Sequence, residues 1–318
     1  MILSTSGAKQ EQPQNDPHPL RAKANELAKG KHTDDTENII IDGIDTHIPN
    51  NLPVAIIGEK GSGKTTLIKA LIEKTQNTTF KHIFYVYSNG NMNEELPPDT
   101  IKINVNNALP FLAMLFETKA LFMSYYKFFK SIQWKELHNK EEKGEEITNA
   151  DIFKACDNVI YKYNEATMNS NMQPIDKWER IVDVGVKTLK TFSRPFFIDN
   201  ISMTPLSPND LDALFIDDIA IASQILFTTL KDNKLYEYFT ISRHVHMFIC
   251  LAGQQIDQIP KFMRKEIMAW MLSKNTQLER LDGVIPKSTI KRIMTEQTKL
   301  SPHEFLLYNI QSGETSTI

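Results

Sequence analysis

The sequence has little cysteine, no large surplus of either charge and no apolar run long enough to cross a membrane. Only two of its 318 residues are cysteines, Cys156 and Cys250, which are far apart and lack the spacing of metal ligands. Neither a disulfide framework nor a zinc site is therefore expected. The formal net charge is -3, which excludes a protein-wide basic field, so any contact with nucleic acid must come from a local basic surface.

Export and membrane insertion are also not expected. Met1-Ile-Leu-Ser is followed by polar residues instead of the basic and then apolar run of a signal peptide. The uncharged stretch 105–116 is too short to span a bilayer, and Glu117 and Lys119 end it. With 41% hydrophobic and 24% charged residues, the composition is that of an ordinary globular protein.

What is present is an apolar strand, a glycine-rich turn and a helix in direct succession. Val54 to Ile57 read as a buried strand, and 65–74 as a helix with apolar residues on one side. Between them, Gly58, four residues and Gly63-Lys64-Thr65 match the complete P-loop pattern. The predicted nucleotide-binding residues are Gly58, Glu59, Lys60, Gly61, Ser62, Gly63, Lys64, Thr65 and Thr66.

The residue types of this turn suit a nucleotide triphosphate with Mg²⁺. Glycines let consecutive N–H groups point into one concavity, and the N-terminus of the helix adds partial positive charge there. Lys64 is expected to reach the β- and γ-phosphates, and the Thr65 hydroxyl to complete the magnesium shell. A glycine-rich turn without a ligand is the alternative.

Two later strands end in polar side chains that suit the same site. The strand 213–216 runs directly into Asp217 and Asp218; Asp217 is predicted to serve the metal and Asp218 to orient or deprotonate the attacking water. An acidic pair that merely caps a strand is the alternative. The strand 245–251 is followed by Gln254, a candidate sensor of the γ-phosphate. Spacing alone does not choose between Gln254 and Gln255, and a polar residue that merely caps the strand end is the alternative.

Strands that end in polar residues, with helices between them, predict an α/β fold in which an open, mostly parallel sheet binds ligands at its carboxyl edge. We expect a flexible N-terminal arm over 1–36, a core over 37–107 and 196–318, and a helical insertion over 108–195. An aromatic stripe in this insertion favours packing over base stacking. Its members are Phe111, Phe116, Phe122, Tyr125, Tyr126, Phe128, Phe129 and Trp134.

The order of motifs resembles the genome-packaging ATPases of poxviruses and other large DNA viruses, in the FtsK/HerA superfamily. Four features in order carry this resemblance: 215–218 (Phe-Ile-Asp-Asp), then 242–244 (Ser-Arg-His), then the strand before Gln254, then Ile259-Pro260 with Arg264. The resemblance also includes 81–84 (Lys-His-Ile-Phe). It extends over roughly 50–105 and 210–310, and implies a RecA-like P-loop NTPase core. It also implies a homo-oligomeric ring that hydrolyses ATP and drives double-stranded DNA into a preformed capsid, in the host cytoplasm or the virion, with capsid vertex proteins as partners.

Carried over residue by residue, Lys64 and Thr65 match the Walker A pair, Asp217 and Asp218 the Walker B pair, and Gln254 the polar sensor. Many members of the superfamily have Glu where Asp218 stands. The separation between Gly58 and Asp217 is long for a compact packaging ATPase, because the helical block intervenes. The resemblance does not explain this block, which is expected to form a lid, a ring contact or a docking surface.

Basic residues after the last predicted sensor are candidates for catalysis and DNA binding. Ring ATPases complete the site with an arginine from the neighbouring subunit, and both Arg243 and Arg264 match positions in the family, with Arg243 favoured. The segment 261–299 carries nine Lys or Arg against four acids, a local surplus of five positive charges. Phosphate contacts without base readout are the mode expected of a motor, and a merely solvated helical face is the alternative.

Three other functions share the P-loop. A small-molecule kinase does not need the glutamine sensor or the Ile259-Pro260 element, and a slow nucleotide-dependent switch or scaffold is also possible on this site. A guanine-specific switch lacks a visible source of specificity, because no Asn-Lys-x-Asp motif occurs. A relative that pumps DNA in conjugation or chromosome segregation is the nearest alternative to packaging.

Overall fold

A computed structural model describes most of the 318-residue chain. The described residues are 38–39, 48–49, 52–76, 78–88, 96–156, 172–192, 196–198, 201–203, 210–219 and 234–318. The predicted arm over 1–36 lies outside them.

Twelve strands lie within the described residues: β1 (Asn38–Ile39), β2 (Ile48–Pro49), β3 (Pro53–Ile57), β4 (Ile83–Tyr87), β5 (Thr100–Asn104), β6 (Phe196–Ile198), β7 (Ile201–Met203), β8 (Asp212–Ile216), β9 (Met247–Gly253), β10 (Ala269–Ser273), β11 (Phe305–Asn309) and β12 (Thr315–Thr317). The helices of the same residues are α1 (Lys64–Thr75), α2 (Val105–Lys130), α3 (Ile132–Glu142), α4 (Asn149–Cys156), α5 (Pro174–Phe192), α6 (Lys234–Ile241), α7 (Lys261–Arg264) and α8 (Lys287–Gln297).

The central sheet has the order β12-β11-β10-β3-β9-β8-β4-β5 among the described strands. The six strands from β10 to β5 are parallel to their neighbours, whereas β11 and β12 form an antiparallel edge. The predicted fold class is confirmed in its architecture, because the described residues form an α/β core with a mostly parallel sheet and flanking helices. The P-loop strand β3 lies in the interior of the sheet, between β10 and β9.

Alternating side chains of the sheet divide the core into two apolar layers. One layer holds Ile56 of β3 and Tyr85 of β4, together with the buried face of α1. The other holds Ile57 of β3 and residues from α2, α6 and α8. Since parallel strands are covered by helices on both sides, their residues read as continuous apolar runs in the sequence, as all five residues of β3 do.

Helix α2 begins at Val105, earlier than the predicted start of the helical insertion at 108. Its first half belongs to the core, because Phe111 packs against Phe84 at a ring distance of 5.3 Å and Phe116 stacks on Tyr238 at 4.4 Å. This 26-residue helix is the longest among the described residues. Nowhere in the described part of the chain is a helix long and apolar enough to cross a membrane.

The chain divides into two compact units, and the division falls inside α2. One unit contains the described residues 124–156 and 172–191, and the other those from 38 to 123 and from 192 onward. In the helical unit, Phe128, Trp134 and Trp178 are fully buried, and their rings contact one another edge to face or at a tilt. The members of the predicted aromatic stripe whose side chains are described are all buried, as packing requires; Phe122 and Tyr126 lie outside the described side chains.

Candidate nucleotide-binding site

The loop between β3 and α1 has the backbone shape of a phosphate cradle. Gly61 and Gly63 have φ values of 81° and 96°, a left-handed region that favours glycine. At Gly58 the need is space, because a Cβ there would lie 2.4 Å from Ser62 Oγ and 2.7 Å from Ser273 Oγ. Backbone conformation therefore favours glycine at Gly61 and Gly63, and close packing favours it at Gly58.

Lys64 lies folded over this loop. Its Nζ donates to the carbonyl oxygens of Gly58 at 2.7 Å and Glu59 at 2.9 Å. Partial burial lowers the pKa of Lys64, and the nearby carboxylates of Asp217 and Asp218 oppose this shift. The two carbonyl oxygens thus hold the ammonium of Lys64 at the mouth of the cradle. Phosphate oxygens carry more charge and can replace them as acceptors.

Asp217 meets the P-loop helix although it is far from it in sequence. Its Oδ2 accepts a hydrogen bond from Thr65 Oγ1 at 3.1 Å, and its Oδ1 accepts one from the backbone N–H of Asp218 at 2.9 Å. The backbone N–H of Asp217 in turn donates to Val86 O at 3.0 Å, which ties it to the end of β4. The two residues predicted to serve the metal are therefore in direct contact.

Asp218 adopts a left-handed backbone with a φ of 52°, a conformation that Asp tolerates better than most residues. Its Oδ1 is buried without a hydrogen-bond partner, and so is Ser62 Oγ in the P-loop. Buried polar atoms of this kind are costly unless a water, ion or ligand satisfies them.

The donor set fits a magnesium-bound nucleotide. Thr65, Asp217 and Asp218 present only oxygen atoms, which Mg²⁺ prefers, beside a loop whose N–H groups and Lys64 suit phosphates. In this arrangement Thr65 and Asp217 would hold the ion, which supplies charge neutralisation at the transferred phosphate.

Gln254 and Gln255 follow β9, and the structure separates their surroundings. The Gln255 side chain accepts from the backbone of Gln258, whose own side chain accepts from the backbone N–H groups of Gln254 at 2.8 Å and Gln255 at 3.2 Å. Gln255 is thus occupied as the cap of a short 3₁₀ turn. The side chain of Gln254 is exposed and lies at the carboxyl edge of β9, the edge that carries the P-loop.

A polar cleft of about 110 Å³ opens beside the P-loop. Its walls come from the P-loop, the turn after β9 and the segment after β10, and the lining residues are Glu59, Lys60, Gln254, Gln255, Ile256, Asp257, Asn275, Thr276, Gln277 and Arg280. Arg280 lies at this cleft with its Nε 4.0 Å from Asp257 Oδ2.

The two candidate arginines have opposite environments. Arg264 is buried, and its guanidinium donates to Ile259 O at 2.7 Å and to Arg280 O at 2.9 Å. These bonds link α7 to neighbouring loops, and Arg264 is buried while the other basic residues of 261–299 are exposed. The catalytic role of Arg264 stays a prediction, and its buried geometry does not favour it. Arg243 is exposed before β9; because that strand of seven residues is about 20 Å long, Arg243 lies far from the P-loop of its own chain.

Sequence reasoning missed three groups around the site. Tyr85 OH donates to Asp217 Oδ2 at 2.8 Å. Gln297 of α8 donates to Ser273 O and Thr276 O, and Thr276 Oγ1 donates to Ile57 O at 3.0 Å, which braces the end of the P-loop strand. His303, at a φ of 71°, lies against Gly63. These residues come from elements with no motif of their own, so only the fold reveals them.

No protein-family model and no curated protein sequence matches the chain. Among solved structures, it is similar to B204, the DNA-packaging ATPase from Sulfolobus turreted icosahedral virus, at 13% identity and a TM-score of 0.44, over 84% of this chain and 96% of the other. The cytoplasmic domain of the Type VII secretion ATPase EccC of Thermomonospora curvata is 12% identical with a TM-score of 0.41, over 84% of this chain and 25% of the other. The pCW3 conjugation coupling protein TcpA is 11% identical with a TM-score of 0.41, over 91% and 70% of the two chains.

Proposed function

We propose that this protein is an ATPase that translocates double-stranded DNA and packages a viral genome into a preformed capsid. The observation that carries the ATPase part is the contact between Thr65 Oγ1 and Asp217 Oδ2 at 3.1 Å beside Lys64. This contact supports the proposal because it brings together the P-loop threonine and the carboxylate that are predicted to serve Mg²⁺.

Each side chain of the site has a role in this proposal. The P-loop N–H groups and Lys64 bind the β- and γ-phosphates, Thr65 and Asp217 hold Mg²⁺, and Asp218 orients or deprotonates the attacking water. The exposed amide of Gln254 contacts the γ-phosphate and registers its loss, while Gln255 keeps its capping role. ATP is the expected nucleotide.

The packaging role rests on the order of motifs that resembles the poxvirus-type branch of the FtsK/HerA superfamily. In this proposal the chain assembles into a homo-oligomeric ring, Arg243 completes the site of the neighbouring subunit, and a capsid vertex protein is a further partner. The place of action is the host cytoplasm or the virion. Pumping of DNA in conjugation or segregation is the alternative that uses the same chemistry.

The DNA surface is proposed to include the exposed face of α8 and the segments around it. Of the nine basic residues of 261–299, all except Arg264 are exposed. Lys287 and Lys291 lie one helical turn apart on α8, and Lys287 Nζ is 3.6 Å from its nearest acid, Asp282. Exposed lysines that are weakly paired suit phosphate contacts that do not depend on sequence.

The test is ATP hydrolysis by the purified chain with Mg²⁺, with and without double-stranded DNA of mixed sequence. We expect DNA to stimulate turnover, Lys64→Ala to abolish it, and Asp218→Asn to keep ATPγS binding while turnover falls about 100-fold or more. Lys287→Gln with Lys291→Gln should keep the basal rate but weaken DNA binding, with a salt slope smaller by about 2.

Asp99→Asn, which changes an exposed carboxylate just before β5, is the matched control for Asp218→Asn and should behave as the wild type. ATP turnover that does not respond to DNA and that yields a stable phosphorylated small molecule would favour a kinase over a DNA motor. Loss of ATPγS binding in Asp218→Asn would show that the acidic pair has been assigned the wrong roles.

A further inference from the structure

The Asp217 carboxylate has a donor that the P-loop chemistry does not account for. Tyr85 OH donates to Asp217 Oδ2 at 2.8 Å, and Thr65 Oγ1 donates to the same oxygen at 3.1 Å. The other oxygen, Oδ1, accepts from the backbone of Asp218 at 2.9 Å. Tyr85 is thus the one side chain outside the P-loop that the described hydrogen bonds place on this carboxylate.

Sheet register explains how Tyr85 reaches Asp217. Strands β4 and β8 are parallel, and Tyr85 is the register partner of Phe215. Both residues belong to the apolar layer under α1, and Asp217 follows Phe215 by two residues, which returns its side chain to the same face. Two residues advance the chain by about 7 Å, a distance that a phenol spans but a shorter side chain does not.

Burial makes the contact rigid. Tyr85 is 3% exposed, and its ring lies in the apolar layer between the sheet and α1. A buried phenol needs a polar partner for its O–H, and a buried ring has little rotamer freedom. The hydroxyl therefore holds a fixed place beside Asp217.

We propose that Tyr85 is a positioning residue for the magnesium site, an inference that rests on the proposed function. Asp217 Oδ2 accepts hydrogen bonds from the hydroxyls of both Tyr85 and Thr65. Because Thr65 Oγ1 donates to Asp217, its lone pairs point away from that carboxylate and are available to the ion. Tyr85 fixes Asp217, and Asp217 fixes Thr65. A hydrogen bond that a neighbouring side chain donates to a metal-binding carboxylate fixes the orientation of that carboxylate.

Tyr85→Phe tests this role, since it removes the hydroxyl and keeps the ring. The measurement is the affinity for ATPγS by calorimetry, in EDTA and at increasing Mg²⁺. We expect affinity in EDTA within about twofold of the wild type, because the N–H cradle is untouched, and an apparent Mg²⁺ affinity about tenfold weaker. The Mg²⁺ concentration for half-maximal ATP hydrolysis should rise by the same factor, with a smaller change in the rate at saturation.

Tyr308→Phe is the matched control, because Tyr308 is similarly buried in the same sheet, on the antiparallel strand β11. It should keep the wild-type response to Mg²⁺. Tyr85→Phe with an unchanged response, or with equal losses in EDTA and in Mg²⁺, would overturn the positioning role and leave the proposed ATPase intact. A wild-type chain whose affinity for ATPγS does not respond to Mg²⁺ and that does not hydrolyse ATP would overturn both.

Discussion

Gln254 and Gln255 are neighbours in sequence, but their side chains make different contacts. The capping box with Gln258 occupies Gln255, and Gln254 is exposed beside the cleft. Spacing does not distinguish two adjacent amides after a strand. The choice depends on a side-chain interaction within the turn, which the motif does not encode.

We expect Gln254→Ala and Gln255→Ala to have different consequences. Loss of a donor at the γ-phosphate should reduce turnover about 100-fold while ATPγS binding is retained. Loss of the cap should lower the free energy of unfolding by about 1 kcal/mol and leave turnover within a few-fold of the wild type. Steady-state hydrolysis and urea denaturation of both variants check this, and a reversed pattern would make Gln255 the sensor.

Strand β8 carries a buried ion pair at the end opposite to the nucleotide site. Asp212 is fully buried; its Oδ2 contacts Lys119 of α2, and its Oδ1 lies 2.8 Å from His82 Nδ1 at the start of β4. Burial by itself would raise the pKa of Asp212, but the charges and hydrogen bonds of Lys119 and His82 outweigh it and hold the pKa below its ordinary value. The ion pair links α2 to the sheet, and no sequence motif predicted it.

Lys119→Met should destabilise the protein, because it leaves the Asp212 carboxylate buried without its cation. Removing one partner of a buried pair typically lowers the free energy of unfolding by about 3–5 kcal/mol. An acid whose pKa is lowered in the folded protein stabilises the fold at pH values above its unfolded pKa of about 4. This stabilisation is lost as the pH falls through the native pKa. The wild type should therefore lose stability below about pH 4. The difference in the free energy of unfolding between the wild type and Lys119→Met should become smaller in that range.

Urea denaturation at neutral and acidic pH measures this difference. Lys127→Met is the control, since Lys127 is an exposed lysine on the same helix, and it should change stability by less than about 0.5 kcal/mol. A difference between wild type and Lys119→Met that stays constant with pH would argue that the ammonium acts by packing alone.

In the proposed ring, Arg243 is expected to act on the nucleotide of the neighbouring subunit. It is exposed and precedes β9, at the end of that strand opposite to Gln254. An arginine there does not reach the nucleotide of its own chain, so a catalytic role requires a second subunit. Cyclic assembly repeats one heterologous contact around the ring and can supply such a residue to every site.

Mixing two inactive variants tests this arrangement. Arg243→Ala should bind ATPγS normally and lose about 1,000-fold in turnover, whereas Lys64→Ala lacks the phosphate-binding lysine. In a mixture of equal amounts, roughly a quarter of the subunit contacts pair an intact Lys64 with an intact Arg243. Activity should return at these contacts. Arg180→Ala, which removes another exposed arginine, should be active alone, and a mixture with no recovery would exclude action between subunits.

Short-range patterns in the sequence were sufficient to predict the α/β class, the glycine-rich turn and the acidic pair, because each depends on apolar runs, glycines at fixed spacing or polar residues at strand ends. Only the fold shows which glutamine caps a turn, that Arg264 is buried and that α2 belongs partly to the core. It also shows that Tyr85 donates to Asp217 and that Lys119 pairs with Asp212. These properties depend on strand order, on register and on burial, which arise from contacts between residues distant in the chain, and local sequence does not specify them.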